Sequence, residues 1–186
     1  MSNKNETSES KYEDKRKNGF LKIFKNTVSS LITAAAVAVL ISYMLFPVFR
    51  ITGKSMTPTF ENNELLVCRK NAKIENGDVI AFYYNNKILL KRVIAQSGDV
   101  IDIDKNGIVY INEEVINEPY ISDKSLGECD IEFPYEIPED RYFVMGDNRK
   151  LSIDSRTSLI GCVSSEAIVG KAIAVIYPFN KLKIIK

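Results

Sequence analysis

The chain has 186 residues, with 25 Lys and Arg against 24 Asp and Glu, so its formal net charge is +1. It contains 3 Cys, no Trp and no His. Without His there is no Ser-His-Asp or Cys-His arrangement and no His-ligated zinc within this chain, so proton transfer near neutral pH needs another group whose pKa has been displaced.

The charge is unevenly divided. Residues 1–26 hold seven basic groups and four acidic ones, whereas residues 50–186 hold 18 basic and 20 acidic groups. A near-neutral total therefore conceals a basic head and a slightly acidic body. The body has no basic surplus with which to hold a phosphate backbone, so no nucleic-acid partner is expected.

The first 18 residues are polar and almost devoid of apolar side chains, too few to offset ordering entropy, and read as a disordered tail. From Asn26 to Phe49 no residue is charged. As a helix rising about 1.5 Å per residue, that stretch is long enough to cross a bilayer. A cleavable signal peptide competes with this reading. Ala34, Ala36 and Ala38 have small-x-small spacing, but they lie inside the apolar run rather than after it. A buried core helix would carry a stronger polar stripe than Ser29, Ser30, Thr33 and Ser42 provide. The balance favours a membrane anchor over residues 27–49, following a basic tail over 1–26. Lys15, Arg16, Lys17, Lys22 and Lys25 crowd the N-terminal flank. The positive-inside rule then places the N-terminus in the cytoplasm and residues 50–186 outside.

Beyond the anchor the chain reads as strands: 64–70, 78–84, 88–96, 100–104, 108–111, 142–145 and 167–177, all rich in β-branched and aromatic residues. Asn85-Asn86 and Asn106-Gly107 fall between strand pairs and predict hairpin turns. No stretch after residue 50 sustains a 3.6-residue apolar period, so the body is expected to be all-β, with a loop-rich segment from about 117 to 140. Cys68, Cys129 and Cys162 have no metal-ligand spacing and read best as small buried hydrophobes, although one bridge between two of them stays open.

Three segments carry chemistry. In Gly53-Lys54-Ser55-Met56-Thr57-Pro58-Thr59, the Gly permits a tight turn and the Pro fixes the exit, so Ser55 is either a solvated turn residue or a nucleophile. Lys91 stands in Ile88-Leu89-Leu90-Lys91-Arg92-Val93-Ile94, where alternation puts it on the face of Leu89 and Val93. An unperturbed Lys is neutral in only about one molecule in 2,500 at pH 7. Desolvation in an apolar wall lowers its pKa and makes the amine a usable base; otherwise it pairs with an acid or reaches solvent. The third segment, Gly146 to Arg156, packs two Asp and two Arg closely enough to form a paired network, or else is a solvated loop.

Together and in this order, the segments resemble bacterial type I signal peptidases, closest to the single-anchor Gram-positive type. That pattern runs from an N-terminal anchor through Ser-Met-x-Pro-Thr, Gly-Asp before a strand and Lys-Arg-Val/Ile to Gly-Asp-Asn-Arg-x-x-Ser-x-Asp-Ser-Arg. Here it is met by Ser55–Thr59, Gly77-Asp78-Val79, Lys91-Arg92-Val93, Gly98-Asp99 and Gly146–Arg156. Ile108–Asn112 and Glu118-Pro119-Tyr120-Ile121 resemble the family's small second β-region, expected at about 99–140. The likeness runs over roughly residues 20–177.

The resemblance implies a mainly β fold: an N-terminal transmembrane helix, then an all-β catalytic domain with a small inserted second β-region. It implies a single-pass cell-membrane serine endopeptidase that removes signal peptides from exported preproteins after Ala-x-Ala-type sites. The partners would be those signal peptides and the bilayer; a monomer, and no cofactor or metal, are expected. Ser55 would be the nucleophile and Lys91, as the neutral amine, the general base. Ser152 would hydrogen-bond the Lys91 amine, and the Ser55 N–H would form part of the oxyanion hole. Asp147, Arg149, Asp154, Arg156 and Arg92 would support the site, while Phe49, Ile51, Met56 and Leu90 would line pockets for small side chains. Gly53 stands where some relatives have a Ser completing the oxyanion hole, which leaves the second donor open. Ala95-Gln96-Ser97 replaces the usual Gly-x-Pro. Two other readings stay in play: a catalytically silent membrane-anchored homologue, and a Ser-Lys self-cleaving regulator.

Overall fold

The structure, a computed structural model, describes the backbone of residues 5–185 and the side chains of Leu21 and residues 23–185. Two compact units divide between Leu45 and Phe46. The first is a helix, α1 (Asn5–Leu45). Its segment Ile23–Leu45 has a mean hydropathy of 2.1 and is long and apolar enough to cross a membrane.

Both ends of α1 differ from expectation. The tail predicted to be disordered over residues 1–18 is helical from Asn5 onward, residues 1–4 lying outside the described residues. Residues 5–18 hold neither Pro nor Gly and are rich in Glu, Lys and Arg, so extending an existing helix through them costs little once the apolar segment has nucleated it. At the other end the helix stops at Leu45 rather than running to Phe49. Pro47 cannot donate to a helix and disfavours the helical conformation at Phe46, so Val48 and Phe49, assigned above to the anchor, enter a strand instead.

The second unit is all strand, turn and short 3₁₀ segments. In chain order its strands are β1 (Val48–Arg50), β2 (Leu65–Arg69), β3 (Val79–Tyr84), β4 (Lys87–Gln96), β5 (Val100–Ile103), β6 (Val109–Ile111), β7 (Glu114–Val115), β8 (Tyr135–Glu136), β9 (Arg141–Met145), β10 (Val163–Ser164), β11 (Ile168–Tyr177) and β12 (Lys183–Ile184). An eight-stranded sheet runs β1-β2-β11-β3-β4-β9-β10, with β12 added to β11. A four-stranded sheet, β7-β6-β5-β8, uses residues between 100 and 136.

The central strand β3 explains why its sequence is continuously apolar. Val79 and Ala81 enter one core cluster with Met56, Phe60, Leu66 and Cys68, while Ile80 and Phe82 enter another with Val93 and Val144. A strand covered on both faces has no polar face to show. A third cluster, including Ile94, Ala95, Ile101, Val109, Phe143 and Met145, welds the two sheets together. The β3–β4 hairpin closes through Asn85 and Asn86, both at positive φ (44° and 60°), as a two-residue turn of this kind requires.

Candidate active site

Ser55 sits in the loop between β1 and β2. The loop is pinched at its base by Ile51 N–H donating to Glu64 C=O (2.8 Å) and Asn63 N–H to Ile51 C=O (2.9 Å). Gly53 turns the chain at φ +94°, and its N–H donates to Asn62 Oδ1 (3.1 Å). Met56 and Phe60 plug the core directly after Ser55, fixing a half-buried hydroxyl between an exposed Lys54 and a buried Met56. From across the site, Asn148 N–H holds the Ser55 carbonyl oxygen at 3.0 Å, and Asn148 Nδ2 donates to Thr57 Oγ1 at 3.0 Å.

Lys91 lies in β4 opposite Ile80 of β3. Leu89 and Val93, two residues to either side, pack in the cluster of Ile80, and alternation gives Lys91 the same face. The residue is 4 % exposed, and Nζ makes no hydrogen bond or ion pair among the described residues. Burial lowers its pKa from 10.5 to about 8, against the pull of Asp154 and Asp147 and with the help of Arg156. Of the readings open for Lys91, snorkelling to solvent and direct pairing with an acid are both absent from this geometry.

The loop after β9 is a paired network, not a solvated loop. Arg156 clasps Asp154 through Nε (2.8 Å) and Nη2 (2.9 Å), both side chains fully buried. Gly146 N–H donates to Oδ2 of the same carboxylate (2.9 Å). Burial pushes the Asp154 carboxyl up, but Arg156 and the Gly146 N–H outweigh it and leave the pKa lowered. Asp147 is gripped by Arg92 of β4 through Nε (2.8 Å) and Nη2 (2.6 Å), and accepts a hydrogen bond from Thr59 beside the Ser55 loop. Arg149 forks onto Glu118 of the smaller sheet's long loop and donates through Nε to Gly146 C=O (3.1 Å).

Gly146 is where these parts meet. A Cβ there would overlap both the Ser152 side chain and the Ser55 carbonyl oxygen, so only Gly lets the box close on the Ser55 loop. Ser152 Oγ is buried and makes no well-formed hydrogen bond among the described residues. The expected hydrogen bond from Ser152 to the Lys91 amine is therefore not formed in this geometry; the hydroxyl stays beside Gly146 and near the Asp154 carboxylate, whose pKa it helps to lower.

An open cleft of about 380 Å³ is lined by Phe49, Ile51, Ser55, Met56, Leu90 and Lys91, joined by Leu66 and Ala81. Ser55, Lys91 and the four expected pocket residues thus share one cavity. Sequence reading singled out neither Leu66 nor Ala81 for this wall. It also gave no role to Thr59, and none to Glu118 beyond its place in a family-like stretch. A lone acid in a loop gives no hint of a partner 31 residues away. Among the described residues, no group of three or more His, Cys, Asp or Glu could hold a metal ion.

Residues 24–177 match the family described as signal peptidase, peptidase S26. The chain belongs to the signal peptidase family. It is therefore a peptidase, a hydrolase, and its family is membrane-anchored. Signal peptidase I U of Bacillus subtilis strain 168 is 34% identical over 174 residues, covering 87% of this chain and 92% of the relative. Signal peptidase I of Bacillus amyloliquefaciens is 35% identical over 167 residues, covering 83% and 86%. The crystal structure of a signal peptidase I from Enterococcus faecalis V583 is 28% identical, covers 54% of this chain and 97% of that one, and superposes with a TM-score of 0.44.

Proposed function

We propose that the chain is a membrane-anchored serine endopeptidase that cuts signal peptides from exported preproteins, with Ser55 as nucleophile and Lys91 as general base. The observation that carries this reading is a buried, unpaired lysine in the wall of the same cleft as a half-buried serine. Such an amine is neutral often enough at neutral pH to take the Ser55 proton. Oγ then attacks the scissile carbonyl carbon, and the Ser55 N–H, which has no other acceptor among the described residues, donates to the developing oxyanion. The Lys91 ammonium returns the proton to the leaving amine. In the second half, water loses a proton to Lys91 and attacks the acyl-Ser55 ester; the ester C–O bond breaks, Lys91 returns the proton to Ser55 Oγ, and the signal peptide leaves with a new carboxylate. Ser152, buried beside Gly146, is assigned to orienting the Lys91 amine.

The shallow apolar wall of Ile51, Met56 and Leu90 suits small residues before the cut, in the Ala-x-Ala manner. Arg92, Asp147, Arg149, Asp154 and Arg156 hold the parts in place. Ile23–Leu45 serves as a single span with the N-terminus inside and residues 50–186 outside, supported by the basic flank before it. Every group needed comes from one chain, so one copy suffices. The test is cleavage of a preprotein by the full-length chain in detergent or lipid, with sequencing of the product's new N-terminus. Ser55→Ala and Lys91→Ala should each abolish cutting. Near-wild-type cleavage in either variant defeats the mechanism, and an inactive parent chain would make it the silent homologue.

A further inference from the structure

The smaller sheet's long connection, between β7 and β8, reaches the site without touching the cleft. Glu118 in that connection is 8 % exposed and its carboxylate forks onto Arg149, whose side chain is fully buried. Tyr120 OH donates to Glu118 Oε1 (3.0 Å), and the Tyr120 ring lies 3.9 Å beneath the Arg92 guanidinium carbon. Two residues of one loop therefore hold two arginines. Arg149 in turn fixes the Gly146 carbonyl, and Gly146 is the point against which Ser152 and the Ser55 carbonyl press. Arg92 fixes Asp147 and is the chain neighbour of Lys91. Further along the same connection, the Leu126 carbonyl accepts from Arg156 Nη1 (2.6 Å).

We infer that Glu118 and Tyr120 are positioning residues for the reaction at Ser55 and Lys91, acting through Arg149 and Arg92. The inference rests on the Ser-Lys reading above. A guanidinium is planar and fully charged, so a carboxylate fork fixes its direction, and an aromatic face beneath it removes one more way for it to tilt. Neither Glu118 nor Tyr120 lines the substrate cleft. Their loss should misplace the reacting groups while leaving the cleft's grip on substrate alone.

The experiment is steady-state cleavage of an Ala-x-Ala preprotein by the full-length chain in detergent, corrected for the folded fraction. Glu118→Gln, nearly isosteric, should lower kcat by about a hundredfold, the scale of a misplacement near 1 Å, with KM within about twofold. Tyr120→Leu should lower kcat as well, and Tyr120→Phe, which keeps the ring under Arg92, should restore most of it. Unchanged kcat per folded molecule in Glu118→Gln would leave Glu118 a stabiliser only and overturns the inference. So does a rise in KM matching the fall in kcat, which would make these residues part of substrate binding. Ser55→Ala run alongside separates the two readings. Cleavage surviving there removes the Ser-Lys mechanism and this inference with it, whereas an inactive Ser55→Ala beside a fully active Glu118→Gln removes the inference alone.

Discussion

Arg92 and Asp147, 55 residues apart in sequence, form a buried two-pronged ion pair that ties the strand carrying Lys91 to the loop carrying Ser152. Their side chains are 7% and 0% exposed, so neither charge has water to fall back on.

Asp147→Asn should therefore be costly. Removing one partner of a buried pair strands the other charge, at about 3–5 kcal/mol. The denaturant midpoint of the full-length chain in detergent should fall accordingly. Lys73→Ala, which breaks the exposed Lys73–Glu75 pair, should leave that midpoint unchanged.

The pH dependence of cleavage should report Lys91. With the amine's pKa lowered to about 8, kcat/KM should climb roughly tenfold per pH unit below that point and level off above it. A climb that continues to pH 10 would mean a water-exposed amine and would sink the role of burial.

Stability should show the same group from the other side. Lys91 is buried, and its folded pKa lies below its unfolded value of 10.5. Between about pH 8 and 10.5 the unfolded chain binds more protons, so stability rises with pH across that window. Below it, keeping the ammonium buried costs about 3 kcal/mol. Lys91→Met should thus be inactive yet more stable than the parent at pH 7, and its advantage should fade as the pH approaches 10.5. Urea titrations at pH 7 and pH 10 check both halves.

Gly146→Ala probes the meeting point of box and nucleophile loop. Its Cβ has no room between Ser152 and the Ser55 carbonyl. Forcing it in should cost about 1–3 kcal/mol and, by shifting Ser55, lower kcat about a hundredfold. A variant that loses stability but keeps kcat per folded molecule would show that the box can give way without moving the serine.

Much of this was legible in the residues. Lys91 between Leu90 and Arg92 in an apolar strand, and two Asp with two Arg inside eleven residues, each break a local rule, and each sits in the site. Asn85-Asn86 announced its turn because few other dipeptides tolerate two positive φ values. What escaped notice was short or distant. β8, β10 and β12 have two residues each, too few for any periodicity. β1 was hidden because its Val48 and Phe49 continue an apolar run, and only Pro47 marks the break. Glu118 looked ordinary since its charged partner, Arg149, is supplied from beyond β9.

The absence of His has one more consequence. The amine assigned as base here owes its poise chiefly to burial, with no direct ion pair among the described residues. A brief opening of β4 that admits water would restore an ordinary lysine and silence the enzyme while its sheets remain paired. Heating should therefore extinguish cleavage at a lower temperature than it melts the fold, and the gap between the two would measure how well the strands keep one side chain out of the rain.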